Sequence, residues 1–120
     1  MQKELTKAPL KKNETPANLL MKQQVQEVLA VIAAFSDLLA KETEALKKAD
    51  FKTVDTLQAD KKLFAKQYHA KVLALSENRE NLLALELPLR ERLMAERARF
   101  SAVLDENMQA LELAQNSTKR

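Results

Sequence analysis

The stretch MKQQVQEVLAVIAAFSDLLAKETEAL, residues 21–46, decides the fold. Met21, Val25, Val28, Ile32, Phe35, Leu39 and Leu46 recur at alternating steps of three and four. One polar residue, Glu42, interrupts the series. That spacing places one apolar seam along a helix, as in a coiled coil. Leu29, Ala33 and Leu38 widen the seam, so the helix is expected to lie against more than one neighbour. Upstream, Thr15-Pro16 is a start signal, with a hydroxyl able to cap and a proline suited to the first helical position.

Downstream, Lys47-Lys48-Ala49-Asp50-Phe51 reads as a junction. The lysines fall where a helix C-terminus favours cations, and Asp50 is a good N-cap for a second helix. No Gly or Pro marks the break, so a kink and a full reversal both fit the sequence. The stripe resumes out of phase at Phe51, Val54, Leu57, Phe64, Tyr68, Val72 and Leu75. Residues 76–81 (SENREN) are a polar stretch that could form a loop, and Pro88 is the firmer punctuation. A third helix follows, with apolar positions Leu89, Leu93, Phe100, Val103, Leu104, Met108 and Leu111. The expected fold is all-α, an antiparallel long-helix hairpin or three-helix coiled-coil-like bundle. Helices are expected at about residues 16–48, 51–82 and 88–116. Residues 15–120 form the single helical domain of this reading, and the lysine-rich residues 1–14 form a flexible basic tail.

Composition agrees. The 120 residues contain no Gly, Cys or Trp, and 46% are hydrophobic against 31% charged. Without Gly, the positive-φ positions of tight hairpins and phosphate-cradling loops are hard to supply, which disfavours β-rich and nucleotide-binding folds. The net charge of +3 is concentrated in the first 14 residues. No cluster of Arg and aromatics suits the stacking of bases, so no nucleic acid is expected as a partner. The longest apolar run, residues 28–35, falls far short of the roughly 20 residues that span a bilayer. No secretory signal is evident, and a cytoplasmic location is the expectation.

Catalytic chemistry is not evident. His69 is the single histidine, and no carboxylate stands three or four residues from it, as di-iron bundles require. No serine lies in a nucleophile motif. The chain is therefore read as a binding protein and not an enzyme, with no cofactor and no metal. Its candidate partner-binding residues are Phe100, Val103, Leu104, Asn107, Met108 and Leu111 on the last helix. The apolar ones are either core or a client groove, with core the reading that periodicity favours, and a polar residue such as Asn107 beside the stripe can set helix register. A self-associating coiled-coil scaffold, a homo-oligomer, is the alternative to a client-binding protein.

Two segments carry a family resemblance. The first is LLAKETEALKKAD, residues 38–50, continuing through Phe51 to Lys61-Lys62-Leu63. The second is LDEN, residues 104–107, followed by Ala110-Leu111. Their order resembles the FlgN family of flagellar type III export chaperones. Glu44, Leu46, Asp50, Leu57 and Lys61 or Lys62 match the first pattern, and Ala49 stands where a small residue, often Gly, precedes the Asp. The resemblance implies a cytoplasmic chaperone that holds the helical C-terminal segment of hook–filament junction proteins and docks on the export gate. Helix-in-groove packing would suffice for that task.

Overall fold

A computed structural model describes residues 16–118. The expected tail and the Thr15 cap lie outside those residues. Four helices and no strand occur among them: α1 (Pro16–Lys47), α2 (Phe51–Glu77), α3 (Arg79–Leu83) and α4 (Leu87–Thr118). The chain is an all-α bundle. α1 is its spine, with α2 and α4 packed against it and the backbones of α2 and α4 scarcely approaching one another.

The junction at residues 47–51 is a full reversal. Ala49 adopts a left-handed backbone, φ 56°. The Asp50 amide donates to the Ala45 carbonyl at 2.8 Å and the Ala49 amide to the Leu46 carbonyl at 3.1 Å. Together these close the end of α1 as a Schellman motif, in which a residue just past the helix turns left-handed and the next amides satisfy its last carbonyls. Glycine is the usual occupant because a Cβ disfavours that conformation. Here alanine occupies it, which is why the turn carries no glycine signal. Asp50 then caps α2. Its carboxylate accepts from the Thr53 amide at 3.2 Å and from the Thr53 hydroxyl at 2.7 Å.

The second helix, expected to reach about residue 82, is interrupted at Asn78. The Ser76 hydroxyl donates to the Leu73 carbonyl and the Asn78 amide side chain to the Ala74 carbonyl. Such local bonds compete with the helix ladder and favour an exit from it. The five-residue α3 and the buried Leu85 lead into α4. α4 starts at Leu87, so Pro88 lies in its first turn, where its missing amide hydrogen would have had no intrahelical partner.

Contacts fix the directions. Glu27 meets Lys71 at 3.2 Å and Phe35 meets Phe64 with ring centroids 5.9 Å apart, so α2 runs antiparallel to α1. Lys22 meets Glu86 at 3.4 Å, Phe35 meets Phe100 at 5.2 Å and Lys47 meets Glu106 at 3.6 Å, so α4 runs parallel to α1. Inward residues recur every seven positions on α1, α2 and α4, which stacks the bundle in layers. Phe35, Tyr68 and Phe100 form the central layer, joined by Phe64. Seven residues away on their respective helices, Val28, Leu75 and Leu93 are buried in the same cluster. Seven residues the other way stand Glu42, Lys61 and Asn107.

Candidate functional site

The Glu42 layer is polar and fully hydrogen-bonded. Glu42 is 0% exposed. One carboxylate oxygen accepts from Lys61 Nζ at 2.7 Å and from Asn107 Nδ2 at 2.9 Å, and the other accepts from Gln58 Nε2 at 2.7 Å. Asn107 Nδ2 also donates to the Thr43 hydroxyl at 3.2 Å, and Lys61 Nζ donates to Asn107 Oδ1 at 3.3 Å. Burial by itself pushes the Glu42 carboxyl up. The hydrogen bonds from Lys61, Gln58 and Asn107, with the nearby Lys61 charge, outweigh it and hold the carboxyl below its ordinary value. This layer divides the apolar core in two. On one side lies the large cluster running from Met21 to Phe100. On the other is a small cluster of Ala45, Leu46, Val54 and Ala110, with Leu111 and Ala114 packed against it.

The small cluster is not closed. Where the α1–α2 turn meets the last turns of α4, a cleft of about 520 Å³ opens, lined by Leu46, Ala49, Phe51, Ala110, Leu113 and Ala114, with Lys47, Glu106 and Gln109 at its polar parts. A shallower depression beside it shares Leu46, Phe51 and Ala114 and adds Leu111. Sequence explains the opening. α4 presents two alanines, 110 and 114, to its packed face here, with Leu111 half-buried beside them, and the alanines leave space open against Leu46. Leu113 stands off that face and is 69% exposed. Phe51, thrown outward by the turn, is 43% exposed, and Met108 is 59% exposed on the neighbouring flank. Asp105, Met108 and Glu112 line a further depression there. Phe51 and Leu113 thus leave adjoining apolar surface open at the cleft, the kind of patch found at protein contacts, ligand grooves and aggregation-prone sites.

The six candidate binding residues divide. Phe100 and Asn107 are sealed between the helices. Val103 and Leu104 are half-buried and pack on the large cluster. Leu111 and Met108 reach the surface at the open end. The sequence reading missed Leu46, Phe51 and Leu113 as parts of one place. Only the Ala110/Ala114 pair at inward positions hinted at a gap, since small residues there leave space that apolar neighbours then border.

Elsewhere, exposed apolar residues sit at the opposite end of the bundle, with Leu19 and Leu20 on α1 and Leu83 and Leu87 around the α3–α4 connection. Among the described residues, no helix is long and apolar enough to cross a membrane. In comparisons with known proteins, no family model, no curated protein and no solved structure matches this chain.

Proposed function

We propose that the chain is a helix-binding chaperone whose client seat is the apolar cleft at the turn end of the bundle. The observation that carries this reading is the exposure of Phe51 and Leu113 around a cleft floored by Leu46 and two alanines. An amphipathic helix has the complementary form: apolar anchors three and four residues apart, with a polar outer face. The alanines let its backbone come close, and Lys47 and Glu106 offer both signs of charge at the rim.

The resemblance to the FlgN family directs the reading to a particular client. On it, the protein works in the cytoplasm as an export chaperone. It covers the helical C-terminal segment of a hook–filament junction protein until the segment is delivered to the export gate. Non-covalent capture of this kind needs no catalytic group and no cofactor.

The test is titration of the full chain with a fluorescently labelled peptide of a junction protein's C-terminal segment, with light scattering on the same mixtures. Saturable 1:1 binding is expected, lost in a Phe51→Asp, Leu113→Asp double variant whose circular dichroism matches the parent. A stable homodimer that ignores the peptide would defeat the proposal and favour a self-associating scaffold. Binding that survives the double variant would move the seat away from the cleft.

A further inference from the structure

The polar layer and the thin cluster beyond it have a joint consequence for how the cleft behaves. On the near side of Asn107, α4 is held by Leu93 and Phe100, both buried in the large cluster. On the far side, its inward residues are Ala110, Ala114 and the half-buried Leu111, with no fully buried large side chain among them, and Leu113 points away. The outer ion pair at the level of the layer, Lys47 with Glu106 at 3.6 Å, joins two side chains that are both more than half exposed and adds little hold against water. α2 gives no backbone support, because it scarcely approaches α4. Segments with few buried apolar contacts open separately from the rest of a fold, in cooperative units whose limits follow breaks in the packing. The packing of α4 breaks at the Glu42–Lys61–Asn107 layer.

We infer that this layer is a hinge stop: the part of α4 beyond Asn107 lifts from the α1–α2 turn as one unit while the part before it stays docked. Lifting uncovers Leu46 and Val54 and turns the cleft into a longer apolar groove. The segment is then a strap that closes over the turn end when the seat is empty and yields when it is filled. This regulates the site of the proposed function and rests on that reading only for its purpose. The motion itself is a property of the free chain.

Residue-resolved amide hydrogen exchange on the free full-length protein, over a urea series, tests the motion. Amides from about 110 to 114 should exchange together, with one common urea dependence, about a hundredfold faster than those of residues 93–104. The step should fall at Asn107. End fraying would instead give protection that rises smoothly from the terminus within about one turn, and that pattern would overturn the proposal. A second variant, with Glu42→Leu, Lys61→Leu and Asn107→Leu together, joins the two clusters through an apolar layer. It should slow exchange of residues 110–114 by about tenfold or more relative to residues 93–104. An unchanged gap in a folded variant would refute the layer as the stop, and if the variant fails to fold, the parent's exchange pattern decides alone. A cooperative step at Asn107 in a chain that binds no junction-protein peptide would leave the hinge standing and remove the chaperone reading.

Discussion

Replacing Glu42 by Gln keeps the side-chain volume and removes one charge, so it isolates the electrostatics of the polar layer. Three donors from two other helices converge on this carboxylate. A glutamine keeps one acceptor oxygen. If that oxygen stays with Lys61 and Asn107, the new amide group faces Gln58 Nε2, and two donors oppose each other in a dry space. Gln58 cannot rotate to accept, because its amide nitrogen also donates to the Val54 carbonyl at 2.8 Å. One buried unsatisfied donor costs about 1–3 kcal/mol. Lys61 loses its counter-charge as well, although its side chain is 23% exposed and water screens part of that loss. The sum is about 3 kcal/mol, at the lower edge of what removing one partner of a buried pair costs.

Urea denaturation followed by far-UV circular dichroism measures this directly, and a total stability of about 5–15 kcal/mol leaves room to see it. The pH dependence supplies a second signature. Because the Glu42 carboxyl is held below its ordinary value in the folded chain, its stabilisation is present above the unfolded value of about 4 and is lost as the pH falls through the folded value. The parent and Glu42→Gln curves should therefore be separated at neutral pH and converge in acid. A difference below about 0.5 kcal/mol at neutral pH, the size of an ordinary surface substitution, would refute the reasoning.

Ala49→Gly should stabilise the fold by about 0.5–1 kcal/mol, because relief of the left-handed alanine exceeds the added freedom of the unfolded chain; a rise in the urea midpoint checks it. Asp50→Ala should lower that midpoint at neutral pH. Hydrogen bonds from the Thr53 hydroxyl and amide hold the Asp50 carboxyl below its ordinary value, so the parent's advantage is present above about pH 4 and disappears as acid protonates the group. Phe100→Ala should cost about 3–5 kcal/mol by emptying the central layer between Phe35 and Tyr68. Leu113→Asp should leave the melting curve within about 0.5 kcal/mol of the parent while abolishing peptide binding in the fluorescence titration.

Much of the architecture is legible along the chain. The three-four spacing from Met21 to Leu46 gives α1, Asp50 marks the start of α2, and Pro88 marks the first turn of α4. What stays hidden has physical causes. The reversal at Ala49 is silent because alanine takes a conformation for which glycine is the signal. The break at Asn78 depends on side-chain bonds to local carbonyls that compete closely with continued helix. Glu42 reads as a gap in a seam because the groups that satisfy it, Lys61 and Asn107, lie on other helices and are brought to it by the fold alone. Phe100 and Leu113 illustrate the limit for the candidate site. Periodicity places Phe100 on an apolar stripe without saying whether a helix of the same chain or of another covers it. Leu113 belongs to no stripe, and its meaning appears only once Phe51 and Leu46 are beside it.

A charged layer inside a slender bundle follows from the repeat itself. Layers that recur every seven residues and are uniformly apolar leave α4 free to slip along α1, since each slipped arrangement still buries hydrocarbon against hydrocarbon. With Glu42 and Asn107 in place, slipping α4 by one repeat would set Asn107 against Phe35 and Ala114 against Glu42. The carboxylate would lose an amide donor, and the Asn107 amide would be buried among rings. Each is a penalty of the order that decides between arrangements, about 1–3 kcal/mol. Leu in those positions would hold the helices more tightly and specify them less. The layer thus fixes where α4 sits through its charged and amide groups. The end beyond it, packed by two alanines and the half-buried Leu111, has fewer large side chains to hold it shut and is where the proposed client helix would lie.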